Sequence, residues 1–116
     1  MTSIGWGAFC GCSGLTSVTI PNSVKSIEKW TFDGCTGLTS VTIGSGVESI
    51  GWRAFGYCPE LLDVYCYAEK VPNTVSAAFY ASNPENATLH VPAASIDSYK
   101  STAPWSKFGK IVALTE

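Results

Sequence analysis

Two residue types in this sequence could support catalysis, namely its one histidine and its five cysteines. A cysteine nucleophile needs a histidine base on the same face and within hydrogen-bonding reach. His90 and Cys66 occupy strand-like segments at positions of opposite parity, so we expect them on opposite faces. The sequence also has no Gly-x-Ser-x-Gly elbow, phosphate-binding loop or carboxylate-rich cluster. These observations predict that the chain is not an enzyme.

The cysteine spacing bears on metal binding and on disulfides. Cys12, Cys35 and Cys58 follow one another at intervals of 23 residues, which is not the spacing of zinc-binding cysteine pairs. Side chains facing the same way on adjacent strands stay about 4.8 Å apart, beyond the Cβ separation that a disulfide prefers. We therefore expect no metal and no cofactor, but a column of buried thiols. Cys66 should also lie in the core, whereas Cys10 should be exposed.

The interval of 23 residues belongs to a repeat that organises the chain. The hexapeptide Leu-Thr-Ser-Val-Thr-Ile at residues 15–20 returns unchanged at residues 38–43. Five apolar columns recur with the same step: Ile4, Ile27 and Ile50; Phe9, Phe32 and Phe55; Cys12, Cys35 and Cys58; Leu15, Leu38 and Leu61; Val18, Val41 and Val64. A fixed period of this length is the signature of a repeat architecture whose neighbouring units share one core.

Each repeat predicts a strand followed by a compact turn. Leu-x-x-Val-x-Ile alternates with a period of two, which places Val18 and Ile20 on one face and Thr19 on the other. Strands from successive repeats should pair in parallel. The short Ala-Phe-x-x-Cys segment predicts one helical or 3₁₀ turn on the opposite side. The predicted fold class is an α/β-type solenoid with a parallel sheet on one side.

The repeats divide the single predicted domain, residues 1–116, into three parts. Residues 1–66 form three coils of 23 residues, and residues 67–92 form a degenerate fourth coil. Residues 93–116 show no repeat and predict a C-terminal cap with one short helix near residues 94–100. Trp105, Phe108 and Ile111 would cover the apolar end of the stack, as a solenoid requires.

The run Ser26-Ile27-x-x-x-x-Phe32-x-x-Cys35-x-x-Leu38-Thr39-Ser40-Val41-Thr42-Ile43 resembles the BspA-like leucine-rich repeat of bacterial surface proteins. The resemblance is strong over residues 3–66, and the tail from Leu89 to Phe108 is similar to the C-terminal cap of such proteins. It implies right-handed coils, an extracellular or cell-surface location, adhesion, binding of a host or matrix protein, and no enzymatic activity. The family has no shared binding motif, so no binding residue carries over.

The first residues align with the interior of a repeat. Ser3-Ile4 matches Ser26-Ile27 and Ser49-Ile50, and no signal peptide or N-terminal cap precedes it. We expect this chain to be part of a longer array whose full-length form carries the signal peptide. An uncapped end exposes apolar groups and unpaired strand edges, so we also expect self-association through residues 6–18.

The outward face of the predicted sheet is the candidate binding surface. Its early positions are hydroxyl groups, whereas its later positions combine aromatic, acidic and histidine side chains, a mixture that favours protein interfaces. The candidate residues are Thr19, Thr42, Asp63, Tyr65, Tyr67 and His90. Two alternatives stay open: the later residues could merely cover the join to the cap, or the repeats could be a structural spacer.

A second exposed surface involves tryptophan. Trp6, Lys29 and Trp52 share one column, so the Lys29 ammonium could lie between two indoles, and Trp30 neighbours Arg53 in the next column. Such stacking could stiffen the outer face, or the exposed indoles could bind carbohydrate or protein.

Composition excludes two classes of partner. The net charge is only -2, so the chain lacks the basic surface of a nucleic-acid binder. No apolar run approaches the roughly 18 residues that a membrane span needs, so we expect no membrane insertion. Hydrophobic residues reach 46% and charged residues only 14%, which argues for a folded domain rather than a disordered one.

Overall fold

The computed structural model describes residues 3–5, 7–75, 77–103 and 105–114. Within these ranges the chain forms two parallel sheets joined by tight turns. The strands are β1 (Ser3–Ile4), β2 (Ser17–Ile20), β3 (Ser26–Ile27), β4 (Ser40–Ile43), β5 (Ser49–Ile50), β6 (Asp63–Cys66), β7 (Asn73–Thr74), β8 (Thr88–Val91) and β9 (Lys110–Ala113). The wide sheet has the order β2-β4-β6-β8-β9, and the narrow sheet has the order β1-β3-β5-β7.

The wide sheet has the register that the repeat predicts. Val18 pairs with Val41, and Val41 pairs with Val64, each on the neighbouring parallel strand. In β4, β6 and β8, fully buried side chains alternate with half-buried ones, as a two-sided sheet requires. The prediction of stacked parallel strands is therefore confirmed.

The narrow sheet was not predicted. Its first three strands are the Ser-Ile pairs of successive repeats, with Ser26 opposite Ser49 and Ile27 opposite Ile50, and its fourth is Asn73–Thr74. Both isoleucines are buried, as their column predicts. Strands of two residues are too short to show an alternation, so the sequence reveals their burial but not their pairing.

The predicted helical or 3₁₀ turn is not found between β3 and β4 or between β5 and β6. These segments consist of successive hydrogen-bonded turns and contain no helix. Alternate backbone amides bond to the next repeat, as where Phe32 N donates to Ala54 O over 2.7 Å, and the amides between them close local turns, as where Asp33 N donates to Trp30 O over 3.1 Å. Because only every second amide bonds locally, the turns do not continue into a helix.

The core follows the predicted columns except in the first repeat. Phe32, Phe55, Cys35 and Cys58 are fully buried, and neighbouring phenylalanine rings stack 5.3 Å apart. Phe9 stacks on Phe32 but remains 41% exposed. Cys12 is also exposed, so the predicted column of buried thiols is wrong at this position. The first repeat has a neighbour on one side only, which leaves its inward side chains partly uncovered.

All five cysteines are free thiols, and Cys66 is buried while Cys10 is exposed, as expected. The self-association of residues 6–18 stays a prediction, and its first residue, Trp6, lies outside the described residues.

The C-terminal segment covers the other end of the stack. A 3₁₀ turn at Ala93–Ser95 leads into α1 (Ile96–Lys100), which confirms the predicted short helix. Further 3₁₀ turns lie at Pro84–Asn86 and Trp105–Lys107. Tyr99, Trp105 and Phe108 are buried, and both Trp105 and Phe108 pack edge-on against the Phe79 ring.

The strand β9 was not predicted within the C-terminal segment. It pairs in parallel with β8, with Leu89 opposite Ile111, and becomes the fifth strand of the wide sheet. Gly109 enables the approach, since a Cβ at this position would collide with the Glu85 carbonyl oxygen. The division into coils and cap otherwise stays a prediction.

None of the helices in the described ranges combines the length and the apolar character that crossing a bilayer demands.

Candidate functional site

The candidate surface is the outward side of the wide sheet, which we call the sheet face. Register aligns its residues in two rows across five strands: Ser17, Ser40, Asp63, Thr88 and Lys110 in one, and Thr19, Thr42, Tyr65, His90 and Val112 in the other. Hydroxyl groups occupy the first two strands, and the larger and charged side chains follow from β6 onward. The chemical variety of the face is thus confined to the half nearest the C-terminal segment.

Three of the predicted site residues form one cluster. The Tyr65 and His90 rings stack with centroids 4.2 Å apart and planes 17° from parallel. His90 Nε2 lies 3.0 Å from Asp63 Oδ1. A carboxylate only accepts hydrogen bonds, so this contact places a proton on Nε2 and fixes the orientation of the imidazole. All three side chains remain half-exposed, so their free polar atoms can meet a partner.

The other predicted residues lie along one side of the sheet face. Thr19, Thr42 and Tyr67 line an open groove of about 330 Å³ together with Pro21, Asn22 and other residues. Tyr67 follows the end of β6, and its ring is exposed. Thr42 pairs with Tyr65 across β4 and β6, so the groove and the cluster form one continuous surface.

The sequence reasoning missed the contribution of Thr88, Lys110 and Val112 to this face. Thr88 is the first residue of β8, and the other two are the outward residues of β9. In β9 the exposed Lys110 and Val112 alternate with the more buried Ile111 and Ala113. This alternation at residues 110–113 was the available signal, but four residues without a repeat partner predict a strand only weakly.

The structure separates the groups that cysteine chemistry would need. His90 lies on the sheet face, whereas the Cys66 side chain is fully buried beneath it and lies 3.3 Å from the Tyr99 hydroxyl. Burial raises the pKa of the Cys66 thiol above its ordinary value, since it disfavours the thiolate. Cys66 is therefore a core residue.

Metal-ligating groups are also dispersed. Across residues 3–5, 7–75, 77–103 and 105–114, no three histidine, cysteine, aspartate or glutamate side chains come together in a way that could hold an ion.

The predicted stacking of Lys29 between two indoles involves Trp6, which lies outside the described residues, and stays a prediction. The cation that the structure does place among aromatic rings is Arg53. Its guanidinium lies 5.2 Å from the centroid of the Trp52 ring.

The repeat register and the stacked core agree with the comparison with known families. The model of the BspA type leucine rich repeat region matches residues 1–101 in six copies. A search of curated proteins gave no significant match. Repeats of this type are typical of surface proteins, and leucine-rich repeats are generally non-enzymatic scaffolds that commonly mediate protein interactions. The chain belongs to the BspA-type leucine-rich repeat family.

Proposed function

We propose that this chain is a non-enzymatic, adhesin-like module of an extracellular or cell-surface protein, and that its sheet face binds a host or matrix protein. In this proposal the repeats wind as right-handed coils, which present the parallel strands as one recognition surface. The hydroxyl-rich strands β2 and β4 then provide a flat flank, and β6 and β8 provide the specific contacts.

The observation that carries the proposal is the cluster of Asp63, Tyr65 and His90. An aromatic pair held by a charged partner offers a rigid apolar surface with oriented polar atoms, and such groups contribute most of the energy in protein interfaces. The rest of the sheet face would mainly exclude water around this centre.

The proposal is tested with the double variant Tyr65→Ala/His90→Ala. Wild type and variant are passed over a panel of immobilised purified matrix proteins in an interferometry assay. We expect wild type to bind at least one member and the double variant to lose about tenfold or more in affinity, since both rings sit at the centre of the contact. Val75→Ala, which trims an exposed apolar side chain beside the narrow sheet and away from the sheet face, is the matched control and should bind normally.

The melting temperature separates this proposal from its alternative. If the cluster only covers the join to the cap, the double variant loses thermal stability, and the loss of binding has no separate meaning. Equal binding by wild type and the double variant, or no binding to any panel member, contradicts the proposed interface. The uniform hydroxyl surface of β2 and β4 then favours the spacer function.

A further inference from the structure

A second surface lies on the turns, away from the wide sheet. Trp52, Arg53 and Tyr57 belong to the turns between β5 and β6, and Tyr80 belongs to the turns that follow β7. The Arg53 guanidinium carbon lies 5.2 Å from the Trp52 ring centroid, 4.7 Å from that of Tyr57 and 5.3 Å from that of Tyr80. We call these four residues the aromatic patch.

The charge at the centre of the patch is already neutralised. Arg53 Nε donates to Asp33 Oδ1 over 3.2 Å, and a second guanidinium nitrogen donates to Asp33 Oδ2 over 3.4 Å. Both side chains are largely buried, so the pair is held in one geometry. The patch thus offers fixed hydrogen-bond donors and acceptors side by side without an excess of positive charge, which does not favour an anionic ligand.

The three aromatic rings of the patch are exposed to solvent. Trp52 is 44% exposed, Tyr57 is 43% exposed and Tyr80 is 51% exposed. Tyr57 and Tyr80 also contact each other edge to face, with centroids 5.4 Å apart. An exposed group of three aromatic side chains is unusual for a surface that contacts only water, and such groups commonly mark binding sites.

The backbone beneath the patch is held in a costly conformation. Arg53 has φ 55° and Tyr57 has φ 49°, in the left-handed region that residues other than glycine seldom adopt. Gly7 and Trp30 hold the corresponding positions of the two earlier repeats with φ 65° and 63°, so this conformation is a feature of the repeated turn, which sets the direction of the Arg53 side chain.

A cavity of about 380 Å³ continues the patch beyond Tyr80. Tyr80 forms part of its wall, and Asn83, Glu85 and Lys107 supply polar groups of several types. The volume lies within the range of small-molecule sites. Aromatic faces and polar groups of both charge signs therefore extend over one surface, from Trp52 through Tyr80 to Lys107.

We propose that this surface binds a neutral oligosaccharide. Sugar rings present apolar C–H faces with a slight positive charge, which pack on the negative faces of aromatic rings. Their hydroxyl groups both donate and accept hydrogen bonds, so they can bind the Arg53 guanidinium and the Asp33 carboxylate at the same time. The cavity beyond Tyr80 accommodates the next sugar unit. This site is independent of the protein interface that we propose on the sheet face.

Titration with neutral hexasaccharides of glucose, galactose, mannose and N-acetylglucosamine tests the proposal. Binding is followed by ligand-observed NMR and by tryptophan fluorescence, which reports on Trp52. We expect at least one hexasaccharide to bind, Tyr80→Ala and Trp52→Ala each to weaken it about tenfold, and Tyr67→Ala to leave it unchanged. Because the ligand is neutral, the affinity should not change between about 50 and 500 mM NaCl. A mannose-rich glycoprotein, assayed before and after removal of its glycans, distinguishes attached from free saccharide.

The absence of binding by all four hexasaccharides at about 5 mM overturns the proposal. It is also overturned if Tyr67→Ala weakens binding as much as Tyr80→Ala, or if only sulfated saccharides bind and salt abolishes the interaction. Tyr80 and Trp52 are exposed, so both variants should keep the wild-type melting temperature. A variant that melts earlier is replaced by Tyr80→Leu, which keeps an apolar side chain but removes the aromatic face and should still weaken binding about tenfold.

Discussion

The environment of each cysteine depends on its place in the stack of repeats. Cys58 is fully buried between neighbouring repeats, and its burial raises the pKa of the thiol to about 12. Burial also raises the pKa of Cys35, which occupies the same column one repeat earlier. Cys12, in the same column again, is exposed. The sequence predicts the direction of each of these side chains, because direction follows from the period. It does not predict exposure, because exposure depends on which neighbours cover the repeat.

Thiol labelling should divide the five cysteines into two groups. At pH 8 we expect Ellman's reagent to react rapidly with two thiols, those of the exposed Cys10 and Cys12. Cys35, Cys58 and Cys66 should react only after urea is added, since the reagent attacks thiolates that it can reach. The variant Cys10→Ser/Cys12→Ser should lose the rapid phase entirely. A third rapid thiol in the native protein would contradict the burial of Cys35, Cys58 or Cys66.

At the scale of elements, predictability follows the length of the repeating pattern. The four-residue strands with alternating Val and Ile are predicted in place and in register, because the same pattern appears in β2 and β4. The narrow sheet and β9 are not predicted. Pairs of two residues carry no period, and β9 joins the sheet through a glycine contact that only the folded chain reveals. The sequence predicts six residues of the candidate binding surface, and β9 adds further residues to the sheet face.

The phenylalanine stack is the element that connects the repeats to the C-terminal segment. Rings of successive repeats lie 5.3 to 5.5 Å apart and nearly parallel, in the order Phe9, Phe32, Phe55 and Phe79. Because each ring touches the ring before and after it, an interior ring fills a space that no other side chain can occupy. The contribution of each ring to the free energy of unfolding should therefore depend on its position in the stack.

Alanine substitution along this stack measures that dependence. Phe55→Ala should lower the free energy of unfolding by about 3 to 5 kcal/mol, because the lost contacts leave a cavity in a fully buried site. Phe9→Ala is the matched control at the exposed end, and it should cost less than about 1 kcal/mol. Urea unfolding monitored by circular dichroism gives both values. Equal losses in the two variants would show that the stack is not the continuous core described above.

The whole molecule is a short stack rather than an extended one. Its dimensions are 34 × 30 × 26 Å, and the five strands of the wide sheet, spaced about 4.8 Å apart, span only about 19 Å. A sequence with a fixed period predicts which residues become neighbours, but the overall proportions depend on how many repeats stack. In so small a core the buried titratable groups affect the stability of the entire domain, since no part of the stack is remote from them.

Alkaline pH should therefore destabilise the whole fold. The Cys58 thiol has an ordinary pKa of 9.0 and a folded pKa of about 12, so between these values the unfolded chain loses the proton while the folded chain keeps it. Deprotonation then favours unfolding, and the free energy of unfolding falls by up to about 1.4 kcal/mol per pH unit for this group. Burial raises the pKa of Cys35, Cys66 and Tyr99 as well, which adds to the loss.

Urea midpoints at pH 7, 9 and 10.5 measure this effect. Below pH 8 these groups are protonated in both states, so their titration should not change stability, and the decline should begin near pH 9. Cys58→Ala removes one of the titrating groups. It should be less stable than wild type at pH 7 because of the lost packing, yet lose less stability between pH 9 and 10.5. If the urea midpoint falls equally with pH in wild type and in Cys58→Ala, then Cys58 is accessible to water in the folded state and the interior of the stack is open.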